Sequence, residues 1–284
     1  MRRLAVLGSP IAHSKSPLLH ETAYRLLGLP FEYGRAEVGA GALPAFLKGL
    51  DDSWLGLSLT MPLKREVIPL LATVSPLAAE LGVANTVVLR RDGERLLLDG
   101  HNTDVDGIVR ALTLTPGFRS PSAAARTAVL GGGATAASAI AAAAQLGVTE
   151  LSLYLRDPTK AAVLVDLGVA LDVAVHPTPL GSLAAAEPWE FVISTLPGGV
   201  GLPPVRPASP DSVLLDVAYE PWPSPIAASW EAAGGRSVSG LDMLLEQAIG
   251  QVRLFTGGGQ DAPLASEDVI RQAMRQAVGL VSTP

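Results

Sequence analysis

The sequence predicts an α/β protein of two domains. Apolar runs of strand length alternate with helical stretches along nearly the whole chain, the pattern of helices packed on a largely parallel sheet. A stretch rich in Pro, Gly, Ser and Ala from Pro116 to Ala125 separates two kinds of sequence. After it comes a strand, a glycine turn and an alanine-rich helix, as though a second sheet begins there. At 284 residues the chain has room for two cores. The expected boundaries are 1–104, completed by helices in 241–284, and 105–240 between them.

Composition excludes several classes. Hydrophobic residues are 48% and charged residues 17% of the chain, which suits a packed globular protein. A net charge of -6 argues against nucleic acid and anionic membrane as partners. The absence of cysteine removes disulfides, thiolate chemistry and cysteine-bound zinc. Leu4 to Leu7 is too short an apolar run for a signal-peptide core or a membrane span, so a cytoplasmic location is expected.

Within the first half, Leu4 to Leu7 reads as a strand ended by Gly8-Ser9-Pro10. Ser16 then reads as an N-cap and Pro17 as a first helical residue of a helix ending near Gly28. The hydroxyls of Ser14 and Ser16 at a helix start form a natural place for a carboxylate. Phe31 to Val38 is expected as a strand, Ala42 to Leu50 as a helix, and Trp54 to Leu59 as a buried strand. That strand stops at Thr60, turns at Pro62, expected in the first helical turn, and delivers Lys64 on a helix running towards Leu71. Ser75 to Gly82 reads as a helix, Val83 to Arg90 as a strand with Asn85 at its entry, and Arg91 to Glu94 as a hairpin turn. Leu96 to Leu98 returns and leads to Asp104, in or beside the first turn of a helix over Val105 to Leu112. Asp104 is the carboxylate expected to pair with Lys64. His101, Asp104 and Asp106 also allow a metal reading, but no second cluster of ligand spacing accompanies them, so no metal is expected.

In the second half, Arg126 to Leu130 is a strand, Gly131 to Ala137 a glycine turn, and Ser138 to Leu146 an alanine-rich helix. The pattern is G-x-G-x-x-A after a strand and before a helix, the context in which glycines admit a dinucleotide pyrophosphate. Gly131 permits the tight turn, Gly133 the approach of a pyrophosphate, and Ala136 and Ala137 close helix-to-sheet packing. The strand Leu151 to Leu155 ends in Arg156-Asp157-Pro158-Thr159-Lys160. Arg156 and Lys160 favour a 2'-phosphate, hence NADP; Asp157 speaks for NAD, which stays open. Expected after it are strands at Leu171 to Val175, Phe191 to Leu196, Val213 to Ala218 and Arg236 to Val238, with helices near Leu180 to Ala186 and Ile226 to Ala233. A long helix over Leu241 to Ile249, with polar Gln247 among apolar neighbours, and another near Glu267 to Val278 close the chain.

These motifs together resemble the shikimate dehydrogenase family, from Gly8 to about Gly257. Gly8-Ser9-Pro10-Ile11 with His13-Ser14-x-Ser16-Pro17 resembles its carboxylate loop, Thr60-x-Pro62-x-Lys64 its catalytic segment, and Ala84-Asn85-Thr86 its asparagine strand. Asn102-Thr103-Asp104 resembles the segment with the catalytic aspartate, and Met243-Leu244-x-x-Gln247-Ala248 the helix whose glutamine reaches substrate. The resemblance implies that Lys64 and Asp104 are catalytic, and that Ser14, Ser16, Thr60, Asn85, Gln247 and Tyr219 bind substrate. It implies that Gly131, Gly132, Gly133, Ala134, Arg156, Lys160, Thr195 and Gly240 bind the cofactor. It further implies NADP-dependent interconversion of 3-dehydroshikimate and shikimate in aromatic amino-acid biosynthesis, in a cleft between the domains of a monomer or homodimer.

The chain departs from the family pattern at three places. Ser58 stands where an asparagine is usual, which replaces a substrate-site amide by a shorter hydroxyl. Leu155-Arg156-Asp157 replaces Asn-Arg-Thr, and Ile193-Ser194-Thr195-Leu196-Pro197 replaces a segment that commonly carries Asn-Ala-Thr. Alternatives are an NAD-dependent quinate/shikimate dehydrogenase, a folate-pathway dehydrogenase of related fold, and an inactive nucleotide-binding regulatory module.

Overall fold

The computed structural model describes residues 1–280, so the last four residues of the expected 241–284 segment lie outside the described residues. The chain forms two compact units, one of Met1–Asp104 with the chain from Leu244 on, the other of Val105–Met243. The first half of the chain carries β1 (Arg2–Gly8), α1 (Ser16–Leu26), β2 (Phe31–Glu37), α2 (Leu43–Lys48), β3 (Trp54–Leu59), α3 (Leu63–Glu66), β4 (Thr73–Val74), α4 (Pro76–Leu81), β5 (Thr86–Asp92) and β6 (Arg95–His101). Helix α5 (Asp104–Thr113) leads into β7 (Thr127–Leu130), α6 (Ala134–Gln145), β8 (Glu150–Leu155), α7 (Ala162–Ala170), β9 (Ala174–Pro179), β10 (Phe191–Ser194), β11 (Val213–Asp216), α8 (Pro225–Ala232) and β12 (Arg236–Ser239). Helices α9 (Gly240–Phe255) and α10 (Glu267–Ala277) finish it.

The first unit holds a mixed sheet of order β2-β1-β3-β5-β6-β4. Strands β2, β1 and β3 run parallel, and β5 turns antiparallel to β3. Alternation along β1 builds both cores: Ala5 and Leu7 pack with Leu57, Leu59 and Leu63, while Leu4 and Val6 pack with α1 and α9 side chains such as Leu19 and Ile249. Salt bridges of Arg253 with Glu267 and of Arg271 with Glu246 fasten α10 to α9. At the carboxyl ends of β1 and β3 the chains nearly touch, and a Cβ at Gly8 would collide with Thr60. That close approach explains the glycine.

The second unit holds a sheet of order β12-β11-β10-β7-β8-β9, parallel throughout. The chain starts at the central β7, runs outward through β8 and β9, then crosses back to β10 and runs out the other way. The strand order therefore reverses between β7 and β10, where open parallel sheets of this winding bind ligands at their carboxyl ends.

Several expectations need correction. Ser16 is the first residue of α1 rather than its cap, and its N–H is bonded to Ser14 Oγ at 3.3 Å. Pro62 precedes α3 as its N-cap, because Leu63 N–H bonds back to Thr60 O at 2.8 Å and closes a turn first. The helix stops at Glu66, since Pro69 lacks an N–H and restricts Ile68; a short 3-10 turn, Ile68–Leu70, follows. Helix α7 was not expected, for its run of Ala, Val and Leu shows no polar face to mark a helical period. The following strand begins at Ala174 instead of Leu171, because Asp172 takes a left-handed φ of 56° and turns the chain. That strand tolerates Pro177 and Pro179 as the edge of its sheet. Leu180–Ala185 is a 3-10 turn and not an α-helix.

Candidate active site

Lys64 and Asp104 meet in the first unit. Lys64 Nζ donates to Asp104 Oδ2 at 2.6 Å, with side chains only 11% and 5% exposed. Lys64 is fixed by α3 behind the end of β3, and Ala84 N–H bonds its carbonyl at 2.9 Å. Asp104 opens α5, where a carboxylate favours the helix dipole. Its backbone N–H bonds Asn102 Oδ1 at 2.9 Å, which fixes the start of the helix.

Asn85 braces the pair. Its Nδ2 donates to Asp104 Oδ1 at 2.8 Å and to Thr103 Oγ1 at 2.9 Å, and lies 3.2 Å from Gln247 Oε1. Its Oδ1 accepts Thr103 N–H at 2.8 Å. Since a backbone N–H only donates, the amide has one orientation, with nitrogen towards the carboxylate. Both oxygens of Asp104 thus have a donor, and Gln247 joins from α9. A buried ammonium and carboxylate so held form an acid–base couple shielded from bulk water.

Thr60 sits at the end of β3, half-buried, its N–H bonded to Leu7 O at 2.9 Å. Ser14 is half-buried and Ser16 buried at the start of α1. The loop before them is anchored by Glu37 at the end of β2, which accepts from Ser9 Oγ at 2.6 Å and Ile11 N–H at 3.3 Å, and by Arg35, which bonds Ala12 O.

In the second unit, Gly131 follows β7 with φ of 106°, a backbone that a side chain rarely adopts. A Cβ there would strike Thr195 Oγ1, whose hydroxyl donates to Leu130 O at 2.8 Å. Gly131 and Thr195 therefore share the switch point between β7 and β10. Gly132 lies against Leu155, whereas a Cβ at Gly133 would meet nothing within 4 Å. Gly133 is the N-cap of α6, Ala134 its first residue, and no side chain caps its N–H groups. An open, uncapped helix start on a glycine turn fits a dinucleotide pyrophosphate.

Arg156 and Lys160 are exposed beyond β8. Asp157 between them is committed locally: its Oδ1 accepts Thr159 O–H at 2.6 Å and N–H at 3.2 Å, capping the 3-10 turn Pro158–Ala161. Those bonds, the Thr159 hydroxyl foremost, hold its carboxyl below the usual range. Gly240 opens α9, and a Cβ there would collide with the Val217 backbone, so close packing alone requires that glycine. Tyr219 is half-buried in the loop after β11.

Ser58 is buried, accepts from Tyr33 O–H at 2.6 Å and donates to Gln251 Oε1 at 2.8 Å, so its hydroxyl is committed inside the core. Glu37, Asn102, Thr103 and Gln251 were missed. Gln251 had a signal, since it stands one helical turn after Gln247 in an otherwise apolar stretch. Among the described residues, no group of three or more His, Cys, Asp or Glu could hold a metal ion. Nor is any helix among them long and apolar enough to cross a membrane.

Fold and site together define a class: two-unit α/β proteins with a Rossmann-type unit and a buried lysine–aspartate pair in the companion unit. A family model for the shikimate dehydrogenase substrate binding domain matches residues 6–87. The shikimate dehydrogenase (NADP(+)) of Moorella thermoacetica is 35% identical over 291 residues, covering 97% of this chain and 95% of that one. Shikimate dehydrogenase of Mycobacterium tuberculosis superposes with a TM-score of 0.78 at 39% identity, covering 99% of each chain. The Thermus thermophilus enzyme, solved in complex with NADP(H) and shikimate, gives 0.77 at 28% identity, covering 98% and 100%. The chain also aligns with the pentafunctional AROM polypeptide of Yarrowia lipolytica, of whose length it spans 16%. The chain belongs to the shikimate dehydrogenase family.

Proposed function

We propose that this protein reversibly reduces 3-dehydroshikimate to shikimate with NADP. The observation that carries the reading is the buried contact of Lys64 Nζ with Asp104 Oδ2 at 2.6 Å, braced by Asn85. When bound, the nicotinamide cofactor supplies or accepts the hydride. Lys64 gives a proton to the oxygen of the ring carbonyl as it becomes an alcohol, and takes it back in the reverse direction. Its charge also stabilises the developing alkoxide in a site with little water. Asp104 orients the ammonium and balances its charge. Ser14 and Ser16 hold the substrate carboxylate at the start of α1, while Thr60, Asn85, Gln247 and Tyr219 contact its hydroxyls.

For the cofactor, Gly131, Gly132, Gly133 and Ala134 take the pyrophosphate on α6, and Thr195 and Gly240 line the same region. Arg156 and Lys160 take the 2'-phosphate. The engagement of Asp157 supports NADP over NAD, because its Oδ1 already accepts from Thr159 and its Oδ2 lies 3.8 Å from Lys160 Nζ. Initial rates with NADP or NAD against shikimate or quinate test the proposal. Fastest turnover is expected with NADP and shikimate. Absence of shikimate oxidation with either cofactor would overturn the reaction, and faster turnover with NAD would overturn the cofactor assignment.

A further inference from the structure

A chain of buried polar side chains in the first unit ends on Asp104. At its centre is Gln251, 1% exposed on α9. Its Nε2 donates to Thr86 Oγ1 at 3.0 Å and to the Asn85 backbone carbonyl at 3.3 Å, and that carbonyl, which only accepts, fixes the orientation of the amide. Gln251 Oε1 therefore accepts on its other side, from Ser58 Oγ at 2.8 Å and from His20 Nε2 at 3.1 Å. His20 then carries its hydrogen on Nε2 and receives the Tyr24 hydroxyl on Nδ1 at 3.0 Å. Thr86, having accepted from Gln251, turns its own hydrogen to Asn85 Oδ1 at 2.9 Å. Every donor in the series points the same way, and the last, Asn85 Nδ2, reaches the Asp104 carboxylate at 2.8 Å.

We propose that Gln251 is a positioning residue for the Lys64–Asp104 pair. It ties the strand that leads to Lys64, through Ser58, to the strand entry that carries Asn85. Through Thr86 it holds the Asn85 amide that keeps Asp104 facing Lys64. Thr86 and Gln251 are both buried, so water does not replace a bond lost between them, and a chain of aligned donors polarises each successive one. The inference rests on the proposed proton transfer by Lys64 and Asp104.

The test uses the full chain with Gln251→Met, Thr86→Val and Thr86→Ser, melting curves serving as the control for folding. Gln251→Met is expected to lower kcat for shikimate oxidation about tenfold through misplacement of the pair, with the NADP KM changed by less than about twofold. The solvent deuterium isotope effect on kcat should rise as proton transfer becomes slower. Thr86→Val keeps the shape and loses the hydroxyl, and should move both readouts in the same direction; Thr86→Ser should restore them to about wild-type values. If Gln251→Met does not fold, the Thr86 pair decides. Exchange of the Asn85 side-chain amide hydrogens, followed by NMR without ligands, reads the same network apart from turnover. It should quicken about tenfold in Thr86→Val. A wild type inactive on shikimate, with exchange responding as expected, would sink the proposed reaction and leave the positioning standing. Unchanged exchange in Thr86→Val, or a kcat and isotope effect equal to wild type in an active enzyme, would overturn the inference.

Discussion

Asp104 accepts the Lys64 ammonium on one carboxylate oxygen, at 2.6 Å, and the Asn85 amide on the other, at 2.8 Å. The lysine and the aspartate stand 40 positions apart, one behind β3 and the other at the start of α5. Removing either charge leaves its partner buried and unpaired, at a cost of about 3–5 kcal/mol where no water enters. Lys64→Ala is therefore expected to melt at a lower temperature than the double variant Lys64→Met/Asp104→Leu, as followed by circular dichroism. Equal melting temperatures would mean that water reaches the pair.

The carboxylate loop gives a second expectation. Replacing Ser14 and Ser16 together by alanine should raise the shikimate KM by about tenfold for each charge-assisted hydrogen bond lost, leaving the NADP KM nearly unchanged. Glu37→Ala frees the loop that Ser9 and Ile11 anchor, and should raise the same constant to a smaller extent. Shikimate KM values unchanged in the double serine variant would remove these hydroxyls from the site.

The proposed cofactor choice rests on two neighbouring side chains. Arg156→Ala should weaken NADP binding by roughly ten- to a hundredfold while leaving NAD binding nearly as it was. Asp157→Ala should change the NADP to NAD preference little, because its Oδ1 already serves Thr159 and its Oδ2 faces Lys160. Titration of each variant with both nucleotides, read by fluorescence, checks this; a large gain in NADP affinity in Asp157→Ala would show that its charge does face the phosphate.

Buried His20 links stability to pH. Burial lowers its pKa from 6.5 to about 3, against a smaller opposing effect of its bond to Gln251. Unfolded chains bind a proton at this histidine below about 6.5 while the folded protein does not, so its contribution is present above that pH and is lost as pH falls towards 3. The loss approaches about 1.4 kcal/mol per pH unit within the window. His20→Gln should flatten the fall in unfolding free energy between about pH 6 and 4.5. An identical slope in both proteins would place the titration elsewhere.

Much of the architecture was legible because strands such as Trp54–Leu59 and Thr127–Leu130 are apolar with few breaks, and because glycine marks the β7 turn. The Lys64–Asp104 contact was legible only through motif resemblance, since nothing in the spacing of the two residues brings them together. Pro69 could have shown that α3 is short. Helix α7 was hidden by uniform hydrophobicity, and Asp172 by a left-handed turn that glycine usually marks. The partners of Ser58 were not legible, because a strand alternates faces without saying what each side chain meets. The Ser58 partner Gln251 comes from the far end of the sequence, and only the folded unit brings the two together.

The most direct test of the central claim is a double-mutant cycle on kcat for shikimate oxidation at saturating NADP, using Lys64→Ala, Asp104→Asn and both together. Loss of the proton carrier and of the cation near the developing charge should lower kcat by about a thousandfold or more in Lys64→Ala. Asp104→Asn keeps the shape of the side chain and should lose less, and the double variant should be no slower than Lys64→Ala alone, because the two residues act as one unit. Retention of about a tenth or more of wild-type kcat in folded Lys64→Ala, or losses that multiply cleanly in the double variant, would contradict the account.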